Sequence, residues 1–387
     1  MIKKFFLIAT LCLVISSSLV LDISSVEAQA PSQAFSIIEQ FSVARGGDIL
    51  LLPVMIEGKR FSFVLDTGCA QSALDSSTFD LGKPRTFKRF RTPNGVIITV
   101  PQHAGPQMLL GNMRLPNRPV ITADFAMLRK VTGQDIRGFL GMDYLKDFVC
   151  RIDFDSGTVQ FLRNRGPQPG LPVRISREED GPFVQARISG IGPVKFLIDT
   201  GYGGRGSGDL VSKLMKELLA RKQAIKANET LGTDVSGTIE TSLVAKLDNF
   251  TIGEISHRQL VFSQGTMNLL SLTYLSRYIV TFDFPNNMMY LQKGKTFSDP
   301  DLLDMSGLHI LREEGKTVIA KVDRGSPADA VGIIPGDMIV TTAGKPADQI
   351  SLFQLRRGLC NEGQRVSLTI RRGDRDIETA LLLKAWW

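Results

Sequence analysis

Two short stretches of this chain share one pattern, FVLDTG at residues 63–68 and FLIDTG at residues 196–201. In each stretch three apolar residues lead into the tripeptide Asp-Thr-Gly, which supplies Asp66 in the first copy and Asp199 in the second. Short apolar runs predict buried strands, and a glycine just after them predicts a tight turn. Two carboxylates at the ends of two matched strands therefore indicate a site of paired acids between the copies.

The copies match again near their far ends. The residues YL and then RIDF occur within 144–154, and YL and then TFDF occur within 274–284. The offset is 133 residues between the two DTG tripeptides and 130 residues between the two later DF pairs. Two separate anchors at nearly one offset indicate an internal duplication with small differences in loop length.

Short strand-like runs alternate with Gly, Pro and Asn turns in both copies. They predict a mainly β fold with two barrel-like lobes, at residues 35–163 and 172–295. The Pro- and Gly-rich segment from Asn164 to Leu171 is predicted to link the lobes, and one helix is predicted from Leu210 to Asn228. A polar stretch from Lys293 to Asp304 marks a second boundary, after which the repeat ends.

The amino terminus has the pattern of an export signal. Lys3 and Lys4 precede an apolar stretch from Phe5 to about Leu21, and the small-residue patterns VEA at 26–28 and AQA at 28–30 follow it. These are the charged, apolar and small-residue regions of a secretory signal. We expect residues 1–28 to be a cleaved signal peptide and the mature protein to be secreted or periplasmic. The alternative is an uncleaved membrane anchor, because the apolar stretch is nearly long enough to span a bilayer.

Composition argues against several other classes of protein. The 387 residues carry a formal charge of +7 without a long basic run, which favours a mildly basic surface over nucleic-acid binding. Beyond the signal, Cys69, Cys150 and Cys360 lack the paired spacing of a zinc site, and the histidines are isolated from them. No metal or cofactor is therefore expected. A single disulfide, for example from Cys69 to Cys150, stays open at this point.

The paired aspartates suit the hydrolysis of an amide bond. This reaction needs one group to take a proton from water and another to give a proton to the carbonyl oxygen. Two nearby carboxyls hold one proton between them because both cannot ionise together. Asp66 and Asp199 would then alternate as base and acid. Four neighbours are expected to support them, the glycines by bringing N–H groups to the carboxylates and the threonines by hydrogen bonds across the interface: Thr67, Gly68, Thr200 and Gly201.

The region from about Asp48 to Leu291 resembles the pepsin-like and retropepsin-like aspartic proteases, with both lobes in one chain. The resemblance rests on DTGCAQS at residues 66–72 and on GFLG at residues 138–141, which is similar to the segment that packs behind the catalytic loop. It implies an endopeptidase that acts on polypeptides, with Asp66 and Asp199 as its catalytic dyad and the bound water as its only further requirement.

The resemblance also assigns a flap. TPNG at residues 92–95 lies between two strand-like runs, and it is placed like the tip of the hairpin that closes over substrate in this family. Asn94 and Gly95 are therefore the expected flap residues.

The second copy departs from the family pattern. LLS at residues 269–271 replaces apolar-apolar-Gly, and a glycine-rich run at residues 202–208 follows the second tripeptide. A protease-fold scaffold that binds peptides without turnover is therefore the alternative to an active enzyme. Cys69 and Tyr202 stand where a small hydroxyl would favour ionised aspartates, so we expect a dyad less acidic than that of pepsin, with its optimum at mildly acidic pH.

Residues 305–387 have a different pattern. The run GSPADAVGIIPGD at residues 325–337 resembles the PDZ domains of exported bacterial proteases. The resemblance implies a module that binds an extended peptide, often a protein C-terminus, as an added strand between a strand and a helix. The expected peptide-binding residues are Gly307, Leu308, His309, Ile310, Leu352 and Leu355. The alternative is a module that only packs on the protease body.

Overall fold

The computed structural model describes residues 36–91, 95–163, 168–178, 181–189, 191–203, 206–233 and 239–387. The expected signal peptide, Asn94 of the expected flap and residues 164–167 of the expected linker lie outside these ranges. Strands dominate, which confirms the prediction of a mainly β protein. Within the described ranges, every helix is too short or too polar to cross a membrane.

Residues 37–162, called the first half below, contain two short helices, α1 (Ala126–Thr132) and α2 (Met142–Leu145). The strands of the first half are β1 (Ile37–Ser42), β2 (Leu51–Ile56), β3 (Lys59–Leu65), β4 (Ala73–Asp75), β5 (Thr86–Arg91), β6 (Ile97–His103), β7 (Met108–Leu110), β8 (Met113–Arg114), β9 (Val120–Ala123), β10 (Ile136–Leu140), β11 (Val149–Asp153) and β12 (Thr158–Leu162).

Residues 171–293, called the second half, contain the helices α3 (Ser212–Ala220) and α4 (Leu272–Leu275) and a 3-10 turn at Phe284–Asn286. The strands of the second half are β13 (Leu171–Arg174), β14 (Ser176–Glu178), β15 (Gly181–Ile188), β16 (Ile191–Ile198), β17 (Gly208–Val211), β18 (Ala224–Thr233), β19 (Ile239–Leu247), β20 (Phe250–Ile252), β21 (Ile255–His257), β22 (Leu260–Gly265), β23 (Leu269–Leu270), β24 (Tyr278–Asp283) and β25 (Met288–Lys293).

The main sheets of the two halves follow the same plan. The order in the first half is β5-β6-β9-β4-β10-β3-β2-β7-β8, and the order in the second half is β18-β19-β22-β17-β23-β16-β15-β20-β21. Each strand in these two orders therefore has a counterpart at the same place, and the second half adds β14, which pairs with β15. The strands that precede the DTG tripeptides, β3 and β16, occupy corresponding central positions, which gives the two aspartates equivalent settings.

A six-stranded sheet joins the halves, in the order β1-β12-β11-β24-β25-β13. Its central pair, β11 and β24, is antiparallel with Ile152 opposite Val280, and these strands carry the RIDF and TFDF repeats. Buried side chains of both halves form one continuous hydrophobic cluster, which includes Phe63 and Phe161 from the first half and Phe196 and Phe282 from the second. The seam between the halves is therefore part of the core.

The C-terminal module, residues 308–382, has its own sheet in the order β26-β27-β28-β30-β31, and β29 pairs with β28. Its core also includes Ala227, Val244 and Val261 of the second half. The elements of the module are β26 (Leu308–Glu313), β27 (Lys316–Val322), α5 (Pro327–Ala330), β28 (Met338–Thr342), β29 (Lys345–Pro346), a 3-10 turn (Ala347–Gln349), α6 (Leu352–Gly358), β30 (Arg365–Arg372) and β31 (Arg375–Leu382).

The segment that leads into the module is anchored in the second half by a buried ion pair. Arg277 and Asp301 are paired through Nη2 and Oδ1, and their side chains are 5% and 0% exposed. Asp301 Oδ2 also accepts hydrogen bonds from Ser207 Oγ and Val261 N–H, both at 2.7 Å. The polar stretch predicted as a boundary is thus packed against the strands that it follows.

The helix predicted from Leu210 to Asn228 is much shorter than expected. Only Ser212–Ala220 is helical, and the strands β17 and β18 flank it. Lys222 adopts a left-handed φ of +57°, which ends the helical course of the chain. The following residues pair with β19, so contacts distant in sequence override the local apolar period.

Two smaller expectations also have an outcome. Cys69, Cys150 and Cys360 are free thiols, so the disulfide that the sequence left open is not formed. The sheets of the described chain stay open at their edges and do not close into barrels.

Candidate active site

Both aspartates lie just after the buried end of a central strand. Asp66 follows β3 and Asp199 follows β16, and a short parallel strand, β10 or β23, flanks each. Asp66 N–H donates to Leu140 O, and Asp199 N–H donates to Leu270 O, both at 3.0 Å. The side chains are only 8% and 7% exposed. The same local bond in both halves thus holds the two carboxyls in matching positions.

Two threonines tie the halves together through four reciprocal hydrogen bonds. Thr67 Oγ1 donates to Ile198 O at 2.7 Å and accepts from Thr200 N–H at 3.1 Å. Thr200 Oγ1 donates to Leu65 O at 2.7 Å and accepts from Thr67 N–H at 3.0 Å. Both threonines are fully buried, so water does not compete for these bonds. They fix the position of one aspartate-bearing turn against the other.

Gly68 and Gly201 leave room for the carboxyl group of the opposite half. A Cβ at Gly68 would lie 2.5 Å from Asp199 Oδ2, and a Cβ at Gly201 would lie 2.5 Å from Asp66 Oδ2. Each glycine also serves its own turn, because Gly68 N–H donates to Asp66 Oδ1 at 2.8 Å and Gly201 N–H donates to Asp199 Oδ1 at 2.9 Å. A side chain at either position would push the carboxyls apart.

Burial raises the pKa of both aspartates. The pKa of Asp66 lies well above its ordinary value because burial disfavours the charged form and because Asp199 adds a second negative charge beside it. Burial raises the pKa of Asp199 to about 6, against the lowering effect of the Gly201 N–H. Cys69 N–H donates to Asp66 at 3.0 Å, but the Cys69 thiol is directed to Gln71 O. The pair therefore reaches its state with one shared proton only as the pH rises through about 6, where the first carboxyl ionises.

The segments behind the two turns differ at one position. Gly141 N–H donates to Ser72 Oγ at 2.8 Å, and a Cβ at Gly141 would lie 2.6 Å from a carbonyl oxygen of the first turn. In the second half the counterpart is Ser271, which is fully buried. Its hydroxyl donates to Gly206 O at 2.6 Å and accepts from Thr273 N–H at 3.1 Å. Ser271 thereby holds the glycine-rich loop after the second tripeptide through a buried hydrogen bond.

A cavity of about 1100 Å³ contains both aspartates and is large enough for several residues of an extended peptide. On the first half its wall combines many apolar residues with Asp48, Gln71 and Arg89, and the cavity continues along the second half to the C-terminal module. Representative lining residues are Val100, Ile121, Phe125 and Phe139 in the first half, Asp209, Gln264 and Thr266 in the second half, and Ile310, Phe353 and Arg356 in the module.

The hairpin of β5 and β6 carries the expected flap. Thr92, Pro93 and Asn94 lie outside the described residues, whereas Gly95 is described and has a left-handed φ of +83°. A Cβ at Gly95 would lie 2.9 Å from Thr266 Cγ2 of the second half. The hairpin thus approaches the opposite side of the cavity near its tip.

The loop expected to receive a peptide carboxylate already has internal partners. Gly307 has a φ of +76°, and its N–H donates to Asp304 Oδ2 at 2.8 Å. Leu308 N–H donates to Ser306 Oγ at 3.1 Å. A carboxylate of the chain itself therefore occupies part of this loop.

The strand expected to pair with a peptide also has internal contacts. Arg356 Nη2 of α6 donates to Ile310 O of β26 at 2.6 Å. His309 Nε2 lies 2.9 Å from Asp323 Oδ2. The ring of His309 is therefore already engaged by a side chain of the module. Leu352 and Leu355, the expected groove residues, are almost fully buried in the core of the module.

Helix α1 of the first half packs against β26 of the module. Gly133, which ends this helix, would place a Cβ 3.1 Å from Leu352 Cγ of α6 and 3.5 Å from Arg312 Cβ of β26. Lys130 and Glu313 form an ion pair of 2.9 Å across the same contact. The end of α1 therefore lies between the strand and the helix that were expected to hold a peptide.

Asp209 is a residue of the cleft that the sequence analysis missed. It lies on β17 opposite Leu269, as Ala73 lies on β4 opposite Phe139. The loop after the second tripeptide is longer, so Asp209 stands ten residues after its aspartate whereas Ala73 stands seven residues after its own. A comparison at constant offset from the tripeptides therefore does not reveal the correspondence.

Comparison with known proteins supports a relationship for part of the chain. A search of curated proteins finds no match to this sequence. Residues 52–144, about a quarter of the chain, match the model of a family. This segment runs from β2 into α2 and contains Asp66, its supporting residues and the GFLG segment. The family that it matches is described as aspartyl protease.

Proposed function

We propose that this protein is an exported aspartic-type endopeptidase with two lobes, in which Asp66 and Asp199 activate one water for attack on a peptide bond. The observation that carries the proposal is the matched arrangement of the two buried carboxyls. The carboxyl of Asp199 packs against Gly68, and the carboxyl of Asp66 packs against Gly201. The family match of residues 52–144 supports peptidase chemistry in general.

The proposed mechanism follows from a shared proton. The ionised carboxyl takes a proton from the water, which attacks the carbonyl carbon, while the protonated carboxyl donates its proton to the carbonyl oxygen. Collapse of the tetrahedral intermediate breaks the C–N bond, and a carboxyl returns a proton to the leaving amine. The two aspartates exchange roles during the reaction, so neither alone is sufficient.

The test is cleavage of an unfolded protein mixture from about pH 3 to pH 9, with and without pepstatin. The mature protein is compared with its Asp66→Asn and Asp199→Asn variants, which keep the size of the side chain. Cleavage that needs both aspartates supports the proposal, and inhibition by pepstatin adds that the cleft is similar to that of pepsin. A folded protein that cleaves nothing over this range favours the alternative, a peptide-binding scaffold without turnover.

Export belongs to the proposal as well. Its support is the charged, apolar and small-residue pattern of residues 1–28. Mass spectrometry of the protein secreted by a bacterial host checks it, since cleavage after Ala28 leaves Gln29 as the first residue. A full-length chain retained in the membrane fraction would instead indicate an anchor.

We further propose that the C-terminal module is a PDZ domain that takes an extended peptide along β26. Support comes from the position of β26 at the edge of its sheet beside α6. Because Arg356, Asp304 and the end of α1 contact the same strand and loop, a peptide has to displace them. We therefore expect weak binding by the intact protein and tighter binding after Gly133→Ala, which strains the end of α1. Titration with labelled peptides that end in apolar residues tests this, and equal affinity for both proteins would contradict it.

A further inference from the structure

The two halves present different chemistry at equivalent positions of the cleft. Ala73 pairs with Phe139 in the first half, and Asp209 pairs with Leu269 in the second. Ala73 belongs to a buried hydrophobic cluster that also contains Val100 and Phe125. Asp209 therefore introduces a carboxyl where the first half has a methyl group.

Asp209 is built into the wall of the cavity rather than into the surface. Asp209 is only 7% exposed, and it lines the cavity together with Ser263, Gln264 and Thr266. A Cβ at Gly265 would lie 2.9 Å from Asp209 Oδ2. The absence of a side chain at Gly265 thus keeps the space that the outer carboxyl oxygen needs.

The carboxyl of Asp209 is only partly satisfied by the protein. Tyr202 donates its hydroxyl to Oδ1 at 3.0 Å. Among the residues that the structure describes, Oδ2 has no hydrogen-bond or ion-pair partner. The pKa of Asp209 is raised to about 7, because burial and the charge of Asp199 together outweigh the lowering effect of the hydrogen bond from Tyr202. A buried acid without a cation is costly to ionise, and a cation brought by a ligand would remove that cost.

We propose that Asp209 determines specificity by binding the basic side chain of a lysine or arginine in the polypeptide substrate. The apolar wall around Ala73 then takes an apolar side chain on the other side of the scissile bond. The inference rests on the proposed peptidase function and adds to it the class of sequence that is cleaved. When the basic group binds, Asp209 releases its proton to solvent. The Asp209 carboxylate and the basic side chain of the substrate then form an ion pair with a charged hydrogen bond.

A purely structural role for Asp209 predicts a different result. Asp209 would then support the Tyr202 ring, and through it the turn that carries Asp199. Loss of the carboxyl would lower kcat for every substrate alike. Specificity instead predicts a loss confined to substrates with a basic residue, seen mainly in KM.

The experiment uses pairs of peptides that differ only by Lys or Met at one position on either side of the cleaved bond. For the wild-type protein we expect kcat/KM to favour the Lys peptide by about 10- to 100-fold at one of these positions. Asp209→Asn should remove most of this preference, and Asp374→Asn, a change in the exposed turn between β30 and β31, should preserve it. Equal cleavage of both peptides by the wild-type protein, or an equal loss for both in Asp209→Asn, overturns the proposal.

A binding experiment separates this inference from the proposed function. Calorimetric titration of the Lys and Met peptides into Asp66→Asn, with and without Asp209→Asn, measures recognition without turnover. Preference for Lys that disappears with Asp209→Asn supports the subsite even if the wild-type protein cleaves nothing. Cleavage without any preference for Lys in binding supports the peptidase and refutes the subsite.

Discussion

At the scale of single residues, the chemistry depends on what surrounds each carboxyl. Asp66 receives hydrogen bonds from the N–H groups of Gly68 and Cys69, and Asp199 receives one from Gly201. The thiol of Cys69 and the hydroxyl of Tyr202 are directed to other acceptors. Burial therefore outweighs hydrogen bonding, and the proton that the pair needs is held at higher pH than an ordinary carboxyl would allow.

The pH dependence of kcat/KM should reflect this balance. The active pair carries one proton, so the rate rises as the first carboxyl ionises and falls as the second does. Since burial raises the pKa of Asp199 to about 6 and that of Asp66 well above its ordinary value, we expect the acid limb of the profile near pH 6 and the highest rate above it. Initial rates across the pH range check this, and full activity below about pH 5 would contradict it.

The glycines of the tripeptides should be as critical as the acids. In Gly68→Ala the new methyl group would meet the Asp199 carboxyl, which has to move. A displacement of this kind should lower kcat by about 100-fold or more. Steady-state kinetics measure it, and the thermal midpoint shows whether the variant is folded. Gly192→Ala, where a Cβ meets nothing within 4 Å and where φ, as at Gly68, is not left-handed, controls for the effect of adding a methyl group.

At the scale of elements, local patterns predicted the strands around the two tripeptides. Their signals lie in the apolar runs and turn residues of the segments themselves. The pattern failed from Leu210 to Asn228, where β18 takes its conformation from pairing with β19. It also missed Asp209, because a longer loop shifts the register, and Asp301, whose partners lie far away in sequence.

The buried pair of Arg277 and Asp301 should contribute strongly to stability. Arg277→Leu leaves the carboxylate of Asp301 buried without its cation, so we expect a loss of about 3–5 kcal/mol in the free energy of unfolding. Urea denaturation followed by circular dichroism measures it. Arg371→Leu, which breaks an exposed pair with Asp376, should change stability little. Similar effects of the two changes would show that the buried anchor is not needed.

At the scale of the whole molecule, the parts are joined through their cores. The halves share a six-stranded sheet and one hydrophobic cluster, and the core of the module includes side chains of β18, β19 and β22. The RIDF and TFDF repeats mark two of the joining strands, but the local sequence does not show which strands pair, because each joint depends on residues that are distant along the chain.

Unfolding should therefore be cooperative across these joints. The chain has two tryptophans, Trp386 and Trp387, and both lie at the end of the C-terminal module. Their fluorescence reports on the module, whereas far-ultraviolet circular dichroism reports on all sheets. We expect the two signals to change at one thermal midpoint. A fluorescence transition well below the other would show that the module unfolds alone.

The equivalence of Ala73 and Asp209 has a consequence for how such a cleft can diversify. In a symmetric dimer of identical half-length chains, one substitution appears twice, so an acid in one wall would also stand in the other. Two such acids beside the catalytic pair would repel one another and raise the cost of ionising the pair. Covalent fusion of the halves removes this constraint, because each wall mutates independently. A single chain can therefore carry an apolar residue at one of these two positions and an acid at the other, whereas a symmetric dimer cannot.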